Sequence, residues 1–116
     1  MPTPFLMTAR VRVALVLALS WSCWVPAAQA SDASAGRQKA QACSVCHGSL
    51  GLSVTPDAPH LAGQPVIYLA AQLRAYRSGA RKHEVMVFMA KPLSDDDINN
   101  LAAWFSSIRI DVQAPP

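Results

Sequence analysis

The chain has 116 residues, 52% of them hydrophobic, and a formal net charge of +3, a length that allows one small domain beside a targeting segment. Two of its cations, Arg10 and Arg12, lie in the first thirty residues, so from Ser31 onward eight Lys/Arg stand against seven Asp/Glu. So small an excess excludes the broad basic field of a nucleic-acid binder.

Residues 1–30 read as a cleavable export signal. Arg10 and Arg12 form a positive start, Val13 to Val25 is apolar, and Ala28-Gln29-Ala30 supplies the small residues of a cleavage site. Cleavage is expected after Ala30, leaving a domain of residues 31–116 and a periplasmic location. A membrane-spanning helix needs roughly 20 apolar residues, whereas this run contains Ser20 and Ser22 and ends at the helix-breaking Pro26. Cys23 follows Ser20-Trp21-Ser22, a bulky context for lipid attachment, and leaves with the signal. Membrane contact is therefore expected only through partner complexes.

Three main helices follow in the remaining chain. The first runs from about Asp32 to His47, rich in Ala, Gln and Lys, with Asp32 or Ser34 to cap it and Gly48 to end it. The second opens at Pro65 and stops at Gly79, with Leu69, Leu73 and Tyr76 forming one apolar stripe opposite Gln72, Arg74 and Arg77. The third opens at Ser94, with Asp97 placed for a capping box, and its core stripe is Ile98, Leu101, Ala102, Phe105 and Ile108. Residues 48–64 carry Gly48, Gly51, Pro56, Pro59 and Gly63 and read as a sharply turned loop. Residues 80–93 read as a second long loop, with Val85 to Met89 locally extended. The fold class is all-α, three main helices and loops wrapped around a cofactor.

That cofactor is named by "QACSVCHGSL", residues 41–50. Cys-x-x-Cys-His is the attachment signature of a c-type haem. Residues three apart at a helix end share one face, so Cys43 and Cys46 can present both sulfurs to the vinyl groups of one haem edge, and His47 can reach the iron. Competing readings are weaker. A zinc site built with His60 and His83 matches no common spacing and leaves His47 without a role. A redox-active Cys pair should follow a strand in a βαβ unit, and a disulfide across so short a loop contributes little entropy.

The runs "AGRQKAQACSVCHG", "PHLAGQPVIYLAAQLRAYRSGAR" and "MVFMAKPLSDDDINNLAAWF" resemble the small class I cytochromes c of bacteria, especially cytochrome c-553 and each half of cytochrome c4. The resemblance implies one covalent haem c on Cys43 and Cys46, with His47 as the proximal iron ligand and the Pro59 carbonyl accepting a hydrogen bond from its imidazole. It also implies Met86 as the sixth ligand, with Met89 packing nearby and kept as the alternative. A thioether ligand favours reduced iron and raises the potential. His83 offers a bis-histidine alternative, and core filling is the commoner use of methionine.

The same resemblance pairs Gly36 with Trp104 or Phe105 where the first and last helices cross. Leu61, Tyr68, Leu69, Leu73 and Ile98 are expected to wall the haem with apolar atoms, as core residues first and as tuners of its potential second. His60 is expected at the surface without a ligand role. Arg74, Arg77, Arg81, Lys82 and Lys91 can form a basic docking surface for redox protein donors and acceptors, or a merely solvated face. The expected function is one-electron transfer without catalysis. The rivals are a haem subunit of a larger redox enzyme complex and a haem protein with an open site for a small ligand.

Overall fold

The computed structural model describes residues 30–116. The export signal and Cys23 therefore lie outside the described residues, Ala30 excepted. Helix α1, Ala33–Lys39, starts at Asp32, whose carboxylate accepts hydrogen bonds from the amides of Ser34 and Ala35 at 2.7 and 3.3 Å. The helical path continues as a 3-10 turn, Ala40–Cys43, and then as the single turn α2, Ser44–His47, which Gly48 ends at φ +77°. One uniform helix was expected over this stretch. The path is helical throughout but tightens in the middle, where the Ser44 hydroxyl donates to the Gln41 carbonyl three residues back at 2.7 Å, a local bond that competes with regular helix geometry.

Helix α3, Val66–Ser78, begins directly after Pro65 and stops at Gly79, whose left-handed φ of +78° is a conformation that glycine adopts without steric cost. Residues 80–93 depart from the expected irregular loop, because Glu84–Ala90 forms a further helix, α4. The β-branched Val85 and Val87 favour extended chain. Two things outweigh them: His83 Nδ1 accepts the Met86 amide at 3.3 Å and caps the helix, and helical geometry carries Ala90 to complete burial. Helix α5, Asp95–Ser107, opens with the expected capping box, in which the Ser94 hydroxyl accepts from the Asp97 amide and the Asp97 carboxylate accepts from the Ser94 amide. Among the described residues there is no strand.

Helix α5 is the centre of the domain. Helix α1 crosses one side of it, α3 packs on another, and α4 leans on α3. Ala40, Leu69, Ala70, Ile98, Leu101, Ala102 and Phe105 make the buried core, with Leu61, Leu73, Leu93, Trp104 and Ile108 around its edge. At the crossing a β-carbon on Gly36 would overlap the Asn100 carbonyl and lie 2.9 Å from the Trp104 Cβ. Trp104, rather than Phe105, is therefore the aromatic partner of Gly36. The Phe105 ring lies instead against Gly51, where a β-carbon would come within 2.8 Å of it. Asp97 pairs with Lys39 at 3.0 Å and Asp95 with Arg77 at 2.6 Å, which ties the start of α5 to both α1 and α3.

Candidate cofactor site

The site is built on the end of the α1–α2 path. His47 is the one buried polar side chain among the described residues, 7% exposed. Its Nδ1 lies 2.9 Å from the Pro59 carbonyl oxygen. Because a carbonyl only accepts, that nitrogen carries the proton, and Nε2 is left with its lone pair for a metal. Cys43 and Cys46 are free thiols, both partly buried. Burial pushes the Cys43 thiol above its ordinary pKa, and the residue packs against the core.

Pro59 is held in place by the loop that precedes α3. The Gly51 carbonyl accepts from the amides of Leu61 and Ala62 at 2.7 and 3.1 Å, and the Gly63 amide donates to the Phe105 carbonyl at 2.9 Å. The first two bonds fasten the loop to itself and the third fastens it to α5. A second grip runs to the cysteine motif: the Val54 amide and the Ser53 hydroxyl each reach the Cys46 carbonyl at 3.2 Å. Sequence reasoning missed Ser53 and Val54, since a hydroxyl or amide that binds a distant carbonyl leaves no spacing signal. His60 is exposed as expected, yet its Nδ1 accepts the Ser53 amide at 2.7 Å.

Met86 and Met89 both lie on α4 and both are partly buried. Three residues apart on a helix, they share one face. His83 is exposed, and its Nδ1 is occupied in capping α4. His60 and His83 thus both have Nδ1 committed elsewhere, and among the described residues no three His, Cys, Asp or Glu side chains gather as a metal cluster. The zinc arrangement considered from the sequence is not assembled.

Of the residues expected to wall the haem, Leu69 and Ile98 are buried, Leu61 and Leu73 are partly buried, and Tyr68 is 47% exposed. The five expected docking cations divide into two groups. Arg77 donates to the Leu93 carbonyl and to Asp95, and Arg74 donates to Asn99 at 2.7 Å with Asp95 at 3.8 Å, so both serve the α3–α5 contact. Arg81 bonds Gln72 at 2.6 Å and covers the Tyr76 ring. Arg81, Lys82 and Lys91 make no ion pair among the described residues.

The donor set fits a c-type haem: two neighbouring free thiols for thioether bonds, then a buried imidazole whose second nitrogen is oriented by a carbonyl. Comparison with known proteins agrees. The family model "Cytochrome c" matches residues 33–109. The chain is 44% identical over 81 residues to cytochrome c-554(548) of Halomonas halodenitrificans, covering 67% of this chain and 98% of that one. It is also 44% identical over 99 residues to a thiosulfate dehydrogenase electron acceptor of Thiomonas intermedia, covering 84% of this chain but 42% of that protein. Among solved structures, reduced recombinant cytochrome c4 from Pseudomonas stutzeri superposes with a TM-score of 0.65 at 42% identity, over 69% of this chain and 47% of that one. The chain thus spans nearly all of the first relative and less than half of the other two. A helical domain whose Cys-x-x-Cys-His run ends on a buried, carbonyl-oriented imidazole, and whose residues 33–109 fit the family model, belongs to the cytochrome c family and carries a covalently bound c-type haem.

Proposed function

We propose that the protein is a periplasmic one-electron carrier with His/Met axial ligation, held through thioethers at Cys43 and Cys46. Bound haem supplies an Fe(III)/Fe(II) couple. The chain's own contribution is to bind, orient and exclude water. His47 is the proximal ligand: the Pro59 carbonyl holds its Nδ1 proton, fixing the tautomer and making Nε2 a better donor. Met86 is the sixth ligand and Met89 its packing neighbour, both carried on α4 rather than on an irregular loop. Leu61, Leu69, Leu73 and Ile98 contribute apolar surface that keeps water from the iron. The observation that carries this reading is the 2.9 Å His47–Pro59 contact directly after the two free thiols.

Export through residues 1–30 and cleavage after Ala30 belong to this proposal, because c-type haem carriers of this kind work outside the cytoplasm. Redox protein donors and acceptors dock through the cations that remain without an ion pair among the described residues: Arg81, Lys82 and Lys91. A second reading is an electron-accepting haem subunit of a redox enzyme complex, which the 44% identity to the Thiomonas intermedia acceptor favours.

Spectropotentiometry of the matured protein tests the carrier reading. One reversible one-electron transition is expected, with no carbon monoxide binding by the native reduced form. Rapid carbon monoxide binding would instead mean an open sixth position and defeat the His/Met assignment. Mass spectrometry of the exported protein is expected to show a chain beginning at Ser31 with one haem added; retention of residues 1–30 would reject the cleavage.

A further inference from the structure

The segment from Ser53 to His60 grips the haem motif at both of its ends. At one end the Ser53 hydroxyl and Val54 amide bind the Cys46 carbonyl, each at 3.2 Å. At the other end Pro59 presents its carbonyl to His47 Nδ1 at 2.9 Å. His60 joins the two ends, because its Nδ1 accepts the Ser53 amide at 2.7 Å. We propose that His60 is a positioning residue for the proximal ligand, closing this segment so that the Pro59 carbonyl stays on the His47 ring and sets the potential of the iron.

Several features make the tie consequential. The single Ser53 hydroxyl proton lies between the Thr55 carbonyl at 2.6 Å and the Cys46 carbonyl at 3.2 Å, and its oxygen accepts from the Thr55 amide at 3.2 Å, so the turn at residues 53–55 is tied to the cysteine motif. Pro56 and Pro59 fix φ at two positions of the short path between the grips, which limits how much of a displacement at residue 53 that path can absorb before residue 59. Without an acceptor at position 60, the Ser53 amide turns to water, and the only ties left between the two ends are the bonds from the Leu61 and Ala62 amides to the Gly51 carbonyl, which lie outside the Ser53–His60 segment. A looser Pro59 carbonyl weakens its bond to the imidazole proton. The imidazole is then a poorer donor to iron, which disfavours Fe(III) and moves the potential upward. The arrangement also dictates a tautomer for His60: Nδ1 accepts, so the proton is on Nε2.

This inference rests on His47 being the proximal ligand. The experiment compares the matured holoprotein with His60→Ala and His60→Asn, measuring reduction potential and the axial-ligand signature of the ferric haem by NMR. His60→Ala is expected to raise the potential, shifting the Fe(III)/Fe(II) ratio at fixed potential by about two- to fivefold, where tenfold is about 59 mV for one electron. His60→Asn returns a side-chain acceptor to the same neighbourhood and is expected to recover most of the shift. Nitrogen-15 NMR of the wild type, which needs no variant, is expected to show the Nε2-protonated tautomer of His60. A proton on Nδ1, an unchanged potential in His60→Ala, or equal shifts in the Ala and Asn variants would each overturn the proposal. Loss of a histidine-ligand signature in the wild type would overturn the His47 ligation instead, so the two failures are distinct.

Discussion

Gly36 of α1 and Asn100 of α5 approach so closely that the glycine's missing side chain is what lets the helices cross. Alanine is the better helix former by about 0.8–1.0 kcal/mol, so propensity alone predicts that Gly36→Ala stabilises the protein. The contact reverses the sign. The obstructing atom is a backbone carbonyl of α5, which cannot rotate aside, and overpacking of this kind costs about 1–3 kcal/mol. Net of the propensity gain up to about 2 kcal/mol is lost, so thermal denaturation of the holoprotein is expected to show a melting temperature lower by up to about 16 °C, at about 4–8 °C per kcal/mol for a domain of this size. An unchanged or higher value would mean that the helices can separate without loss.

Met86 and Met89 share a face of α4, and the proposed ligation uses one of them. Met86→Ala is expected to remove the sulfur-to-iron band of the ferric protein, lower the potential and allow carbon monoxide to bind the reduced form. Met89→Ala is expected to keep the band and cost stability only, about 2 kcal/mol or more if its site stays empty. The opposite pattern would move the ligand to Met89.

Acid should weaken the start of α5 first. The Asp95 carboxyl is held below its ordinary value by its hydrogen bond from Arg77, then by that residue's charge, with Arg74 adding to it. Asp97 is lowered chiefly by its hydrogen bond from Lys39 and then by the Ser94 amide. A carboxylate whose pKa is lower folded than unfolded stabilises the fold above the unfolded value, and that contribution is lost as pH falls through the folded one. Asp95 is exposed and Asp97 partly so, and solvent screens both effects: Asp97→Asn is expected to cost about 0.5 kcal/mol at pH 7, less at high salt. Acid unfolding followed by circular dichroism should show a shallower decline below pH 5 in Asp95→Asn/Asp97→Asn than in wild type. Parallel curves would remove these two groups from the acid limb.

Each cysteine of the motif is expected to carry one thioether bond. Cys43→Ser and Cys46→Ser should each retain haem through denaturing electrophoresis when matured, with the alkaline pyridine spectrum shifted to longer wavelength because one vinyl group stays unsaturated. The double variant should lose the haem on denaturation. Haem retention by the double variant would show attachment elsewhere in the chain.

Loss of the cap tests how α5 begins. Ser94→Ala removes the acceptor for the Asp97 amide, a 3.0 Å bond, and is expected to cost about 1 kcal/mol. Equilibrium denaturation of the holoprotein measures it, and a cost near zero would show that water replaces the hydroxyl.

Much of the site can be read from the chain because its determinants are local. The spacing of Cys43, Cys46 and His47, the Ser94/Asp97 cap, the Pro65 start and the Gly79 stop depend on residues within a few positions of one another, and each stands where the sequence puts it. Helix α4 was not legible. Val85 and Val87 argue locally for extended chain, and the terms that decide for helix are the His83 cap and the burial of Ala90, the second of which exists only once α3 is beside it.

The sequence by itself therefore determines the covalent chemistry, the helical class and the candidates for ligation, since these follow from short-range spacing and propensity. Tertiary structure alone decided which groups are spent on holding the fold. Arg74 and Arg77 look like free surface cations until α5 brings Asp95 to them. His60 looks like an idle surface residue until the loop turns its Nδ1 onto the Ser53 amide. Trp104, not Phe105, faces Gly36 because the crossing angle of α1 and α5 selects between adjacent side chains that point about 100° apart around the helix. Such partners are separated along the chain, and only packing, which minimises buried polar groups and steric overlap together, chooses among them.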